Sequence, residues 1–350
     1  MTDFAKQRAM EQLAGSLMIP ARPDEDYLAE IGRLESRSYI VTPEDLEAEL
    51  ISRLHAPTAQ LGLSLPWPEM ADMVRFEPGR WTLWSGRTHS GKTLLLRMLA
   101  LHAIRQQTGF LFASLEEEPV EFLREALYQA ACQRSVSDAF VAAAVKLWSP
   151  HLKIFNHTGN IKPETVLGVA CHCAKEFGTQ HVVIDSLMKL SLRFDDYDGQ
   201  RELGNLISRV AKQYHLHIHL VAHPRKMEDD FRPMSMNDVR GAGDVINQAD
   251  KVITIERAPE DAAAAAKMGL PDGATNIFRV HKQRGDINWT GRAPMYYDAK
   301  SRQLMATYSA QPLRLVPPEL YAKQSYASQP AAARRDWYDD DRDDHHEDLL

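Results

Sequence analysis

The octapeptide GRTHSGKT, Gly86 to Thr93, has the spacing G-x-x-x-x-G-K-T and lies between the apolar run WTLWS and the helical run LLLRMLALHAI. A glycine-rich turn in that setting turns backbone N–H groups and a helix N-terminus toward an anion, which suits a chain of phosphates. In such a loop Gly86, Ser90 and Gly91 belong to the cradle, Lys92 reaches the β- and γ-phosphate oxygens, and the Thr93 hydroxyl ligates Mg²⁺. A Gly-rich turn that matches by chance is the competing explanation. The strand before and the helix after stand where the phosphate mechanism needs them, which favours the functional reading.

Two further apolar runs end in acids. HVVIDSL presents Asp185 where a carboxylate would hold the Mg²⁺ shell through water. LFASLEEEP presents Glu116, Glu117 and Glu118, one of which could orient and deprotonate an attacking water. The same acids would stabilise the N-terminus of the helix that EEEPVEFL begins, so Glu116 is assigned to chemistry and Glu118 to the helix, with Glu117 open as a rival base. A third run, HIHLVAH, ends in His223, a polar group able to bond a γ-phosphate and report its loss. A lone histidine is more often a satisfied polar residue, but a long loop follows it, PRKMEDDFRPMSMNDVRGAGD. There Gly241 and Gly243 let backbone approach a phosphate chain, and Arg225, Lys226, Arg232 and Arg240 supply salt-dependent attraction. Finally, RVHKQRGD sets Lys282 and Arg284 two apart in a strand, on one face and about 7 Å from each other along the chain. They are either ordinary protection of a sheet edge or a pair of cations aimed at an anion.

Short apolar strands alternating with helices must position these groups: WTLWS, GFLFASL, LKIF, HVVID, HIHLVAH, KVITIE and NIFRVHKQR. That alternation predicts an α/β fold, a mainly parallel twisted sheet flanked by helices, with ligands bound at the carboxyl ends of the strands. The Ala-rich segment 259–273 reads as a surface helix inserted before the last strand. Upstream, TPEDLEAELISRLHA predicts a helix over 43–55, with Thr42 as cap, Pro43 at its first position, and Leu46, Leu50, Ile51 and Leu54 on one stripe. Three regions are expected: an N-terminal arm with this linker helix over 1–75, a nucleotide-binding domain over 76–310, and a flexible linker with an acidic tail over 311–350.

Composition excludes several other classes. The chain has 350 residues, 44% of them apolar, and no run long and apolar enough to span a membrane. It also lacks a basic-then-apolar leader, so a soluble, cytoplasmic protein is expected. Cys132, Cys171 and Cys173 form neither a disulfide framework nor paired zinc ligands. The net charge of −7 is concentrated after Arg335, where seven Asp and one Glu outweigh a single Arg. The body before the tail is balanced, so a basic patch on it meets no global negative field.

Taken in order, the P-loop, SLE, VVIDSL, the strand ending in histidine, RGAGD, IER and HKQRGD resemble the RecA-type motor domain of ring-shaped replicative DNA helicases, the group of DnaB, phage primase-helicases and Twinkle. The match covers about 60–307, and a histidine at 223 is more like the phage branch. The resemblance implies that Lys282 and Arg284 cross a subunit boundary to the neighbour's γ-phosphate. It also implies that Arg240 and the amides near Gly241 and Gly243 meet single-stranded DNA, and that Arg257 and Tyr297 sandwich the base of ATP, dTTP or another NTP. A hexameric homo-oligomer acting 5′ to 3′ on single-stranded and fork DNA follows from it. So does a linker helix docked on the adjacent subunit, and an acidic tail that contacts a DNA polymerase or another basic replication protein. A host cytoplasm fits a phage-encoded chain, with the mitochondrial matrix as the less favoured setting. The cysteines of a zinc-binding primase half are missing, so priming is not expected. A RecA-like recombinase and a non-catalytic scaffold for single strands are the alternatives.

Overall fold

The computed structural model describes residues 42–55, 62–191, 197–225, 232–239, 243–285 and 287–321. These fall into two compact units, divided between Thr58 and Ala59. In the first, a short 3-10 turn over Glu44–Leu46 leads into α1, Glu47–His55. Thr42 and Asp45 cap this start reciprocally, the Thr42 amide and hydroxyl both donating to Asp45 Oδ2 at 2.7 and 2.8 Å. The apolar stripe of Leu46, Leu50, Ile51 and Leu54 is exposed.

The second unit is built on a nine-stranded sheet. Its strands are β3 (Arg80–Ser85), β4 (Gly109–Ser114), β5 (Leu152–Ile154), β6 (Thr179–Asp185), β7 (His217–Ala222), β8 (Lys251–Arg257), β9 (Asn276–Gln283), β10 (Gly291–Asp298) and β11 (Gln303–Met305). They lie in the order β11-β10-β9-β8-β3-β7-β6-β4-β5. The six strands from β8 to β5 run parallel, and β9, β10 and β11 continue the sheet antiparallel. A small ladder of β1 (Leu63–Ser64) and β2 (Arg75–Phe76) precedes it. Every strand named from the sequence is present, and the 259–273 insertion contains a short helix, Ala262–Lys267. The hairpin of β10 and β11 was not anticipated, because GRAPMYYD carries Gly and Pro and pairs only at the antiparallel end.

Because the parallel strands are covered on both faces, their side chains fill two cores. On one face α2 (Lys92–Arg105), α3 (Pro119–Ala131) and α4 (Asp138–Trp148) bury Leu95, Leu99, Phe122 and Phe140 against Trp84, Phe112 and Ile253. On the other, α5 (Pro163–Phe177), α6 (Tyr197–Tyr214) and α7 (Gly243–Gln248) cover Leu83, Ile184, Leu220 and Val252. The stretch after 311, expected as a flexible linker, is packed as far as 321. Leu315 and Val316 are buried in the first core and the Tyr321 hydroxyl donates to Ala130 O at 2.8 Å. The Pro-rich composition there serves an extended strap, not a free chain. The acidic tail beyond 321 and residues 1–41 lie outside the described residues. No helix among the described residues is long and apolar enough to cross a membrane.

Three fully or nearly fully buried histidines cross this sheet. The Trp84 indole N–H donates to His219 Nδ1 at 3.2 Å, and His219 Nε2 meets His181 Nδ1 at 3.3 Å. His217 contacts Thr82 Oγ1 at 2.8 Å and the carbonyl of Glu77 at 2.7 Å. With Trp84 donating to it, His219 Nδ1 must be the bare nitrogen, so this ladder is satisfied by neutral rings. Burial holds His181 down to about 3 and pushes His217 and His219 well below the usual range. Folded rings therefore stay neutral while the unfolded chain takes up protons near 6.5, so this stability is whole above pH 6.5 and is lost as pH falls toward 3. Each ring contributes a slope of up to about 1.4 kcal/mol per pH unit in that window. Melting temperature should fall with increasing steepness from pH 7 to pH 5; a flat profile would contradict the neutral ladder.

Candidate functional site: a phosphate loop at the carboxyl end of the sheet

The carboxyl ends of four adjacent strands, β3, β7, β6 and β4, deliver the phosphate loop, His223, Asp185 and Glu116 to one edge. Between β3 and α2 the loop turns sharply. Gly86 has φ +155° and a Cβ there would lie 2.2 Å from Ile255 O, while Gly91, at φ +91°, starts α2 from the left-handed region. Only glycine fits the first position, and it brings the loop backbone against β8. Asn276 of β9 pins the loop from the side, its amide donating to Ser90 O at 2.9 Å. Sequence reasoning missed this residue, since a polar side chain at a strand start carries no signal of what it will meet.

Lys92 is buried and donates to Gly86 O and Arg87 O at 2.7 and 2.8 Å, so its ammonium lies inside the loop. Burial lowers its pKa, against the raising effect of Asp185 and Glu116. The Thr93 hydroxyl donates to Asp185 Oδ2 at 2.6 Å. Burial is the main cause that pushes Asp185 up, with Glu116 adding to it and Thr93, Lys92 and His223 opposing. Two hard oxygens so close, beside a loop of N–H groups, fit a small divalent cation of the Mg²⁺ type.

The three glutamates part company. Glu116 stands in the mouth of the site, its Oε1 accepting from the Ser186 hydroxyl at 2.7 Å with His223 Nε2 3.6 Å away. The His223 imidazole first, and then Ser186, hold its carboxyl down to about 2 against desolvation. Glu117 instead pairs with buried Arg97 at 3.0 Å, and Glu118 is the N-cap residue of α3. The cleft beyond them has a volume of about 690 Å³ and is lined by Thr93, Arg97, Glu116, Glu117, Asp185 and Arg302, among others. Of the three, Glu116 has the geometry of a residue facing a bound γ-phosphate. Ser186, its direct partner, was not singled out from the sequence.

Arg257 and Tyr297 both meet the segment that anchors the loop. Arg257 is opposite Asn276 in the β8–β9 ladder and is exposed, and the Tyr297 amide donates to Thr275 Oγ1 at 2.7 Å. Tyr297 is opposite Leu304, whose side chain stands 3.5 Å from where a Cβ of Gly91 would be. Tyr296 points away, its ring edge-on to Tyr308 at 5.7 Å. The alternation of β10 thus turns Tyr297, not Tyr296, to the side of the phosphate loop.

In the loop after β7, the Arg225 amide donates to Asp238 O at 2.7 Å. The Arg232 guanidinium is paired with Asp238 at 2.6 Å, so its charge is internally matched in this conformation. Met234 N donates to the buried carboxylate of Glu256 at 3.0 Å, tying the loop to the sheet. Gly243 is exposed at the start of α7. Lys226, Arg240 and Gly241 lie outside the described residues.

Lys282 and Arg284 do share a face, for a reason invisible in the sequence. Val280 pairs with Ile253 but Lys282 pairs with Val252, so His281 is an extra residue in the ladder. Val280 belongs to the first core, and strict alternation would send Lys282 into it as well; the bulge turns it out on the side of α7. There Lys282 Nζ donates to Ile246 O and Asn247 O at 3.2 and 2.7 Å, and Arg284 Nη2 to Asn247 O at 3.2 Å. Cations at the last carbonyls of a helix are favourably placed. Burial, and then the charge of Arg284, lower Lys282 to about 8. Neither residue lines the cleft of its own chain.

No family model matches the sequence. Among solved structures, the chain is similar to a DnaB-like replicative helicase described with its interactions with primase. The TM-score is 0.63 at 16% identity, over 87% of this chain and 76% of that one. It is also similar to the ATPase domain of a second helicase, with a TM-score of 0.64 at 15% identity over 77% of this chain and 99% of that domain. At these identities the likeness shows the fold, and the fold is that of a RecA-like core.

Proposed function

We propose that this chain is an NTP-driven DNA helicase that assembles head to tail into a hexameric ring and moves 5′ to 3′ along one strand of a replication fork. The observation that carries the reading is the line of Thr93, Asp185, Glu116 and His223 above the phosphate loop of a RecA-like fold, with Lys282 and Arg284 turned away from it. Gly86, Ser90 and Gly91 cradle the phosphates, Lys92 contacts the β- and γ-oxygens, and Arg257 with Tyr297 holds the base. Thr93, and Asp185 through water, would hold Mg²⁺, which neutralises charge on the phosphates when bound. Glu116 orients the attacking water, held by Ser186 and His223 so that one carboxylate oxygen is fixed. A pKa near 2 makes it a weak proton acceptor while His223 stays close, so hydrolysis is fastest once His223 turns to the γ-phosphate.

Head-to-tail contacts close into a ring, and each interface then brings one copy's Lys282 and Arg284 to the next copy's nucleotide. The loop holding Arg225, Lys226, Arg232, Arg240, Gly241 and Gly243 lines the channel and follows the single strand. The stripe of α1 docks on the adjacent copy, and the acidic tail engages a basic replication protein such as a DNA polymerase. An unwinding assay on oppositely tailed forks tests this reading. Strand separation with ATP or dTTP on a 5′-tailed fork is expected. ATP-dependent strand exchange without unwinding would indicate a recombinase, and binding without hydrolysis a scaffold.

A further inference from the structure

Lys251, the first residue of β8, is fully buried in a strand whose next core positions are Val252, Ile253 and Ile255. Its ammonium stands 2.7 Å from Glu77 Oε2 and donates to the carbonyl oxygen of Arg284 at 2.9 Å. The N–H of Arg284 donates to Asp250 O, also at 2.9 Å, so the peptide groups on both sides of the Arg284 Cα are fixed. Asp250 is itself held, accepting from the amide of Trp81 at 3.1 Å and pairing with Arg80 at 3.7 Å. Gly285 closes the turn at φ +131°, and a Cβ there would lie 2.3 Å from Glu77 Oε1, so the turn rests directly on the acid.

Stability gives no reason for this arrangement. A buried ion pair is commonly no better than an apolar pair of the same volume, and burial pushes the Lys251 pKa down against the opposing pull of Glu77. What the charge does, and a methionine would not, is hold the carbonyl of Arg284.

We infer that the buried Glu77–Lys251 pair is a positioning device for Arg284, fixing the backbone of the turn from which its guanidinium crosses to the neighbouring subunit's nucleotide. The inference rests on the shared site proposed above. Preorganisation of this kind matters because a displacement of about 1 Å at a reacting group can cost roughly a hundredfold in rate.

The test is the double variant Glu77→Gln with Lys251→Met, which leaves no unpaired charge in the core. With ATP and single-stranded DNA its kcat should fall roughly ten- to hundredfold at unchanged KM, with the melting temperature near that of the parent. Mixed with Lys92→Ala subunits, which keep an intact Arg284 turn, it should regain hydrolysis, because its own nucleotide site lacks only a well-placed neighbour. A defect inside its own site would not be rescued in this way. Parental kcat in the double variant overturns the inference. So does failure of this mixture to regain hydrolysis while a mixture of Arg284→Ala and Lys92→Ala subunits does. If neither mixture recovers, the shared site itself is wrong and the inference falls with it. Should the double variant not fold, Gly285→Ala disturbs the same turn through its contact with Glu77 and takes its place in both mixtures.

Discussion

Lys92→Ala should lose NTP hydrolysis by about 10²- to 10³-fold or more, the effect of removing a preorganised charge from the transferring phosphoryl group. The expectation rests on where the ammonium lies. Lys92 is buried, and in this structure it donates to two carbonyls of its own loop, the space that phosphate oxygens would take up. Bound nucleotide gives it better acceptors than Gly86 and Arg87, so its contribution grows as charge accumulates on the γ-phosphate. The fold should not suffer much, since a desolvated cation leaves the core. A coupled hydrolysis assay with single-stranded DNA, run beside a thermal melt, separates lost chemistry from lost structure. Hydrolysis within twofold of the parent would mean that the loop is not the fuel site.

Arg284→Ala should be as severe, about 10³-fold in turnover, with a different signature. Because Arg284 does not line the cleft of its own chain and reaches instead the end of α7, its removal leaves nucleotide binding by that chain intact. The guanidinium is exposed, so water replaces it at Asn247 O at little cost to stability. A nucleotide-binding titration with a fluorescent analogue should therefore give the parental Kd while kcat collapses. A weakened Kd with parental kcat would place Arg284 in its own chain's binding site.

Much of this was legible in the chain. Spacing alone marks Gly86 to Thr93, and alternation of strands with helices places Asp185, Glu116 and His223 at strand ends, because a parallel sheet delivers successive carboxyl ends to one edge. The i, i+2 rule puts Lys282 and Arg284 together, although it does so correctly only because the bulge at His281 precedes both. What was not legible depends on pairing across long separations. Asn276 reaches Ser90 across 186 residues, and Lys251 meets Glu77 only when β8 is laid beside β3. The roles of Glu116 and Glu117 diverge because α2 happens to carry Arg97 opposite Glu117, a contact no local pattern records. The segment 311–321 reads as a linker by composition, yet its Leu315 and Val316 find a core made by α2, α3 and α4. Each miss has one cause: a short polar or Pro-rich stretch whose partner lies far along the chain.

The central claim is that two copies of the chain complete one fuel site, and mixing inactive subunits tests it most directly. Lys92→Ala and Arg284→Ala proteins, each inert alone, are combined with ATP and single-stranded DNA, and hydrolysis is followed against the mixing ratio. The account requires activity to reappear and to peak at intermediate ratios, where an intact phosphate loop most often meets an intact Arg284. A mixture as inert as its parts at every ratio would contradict it.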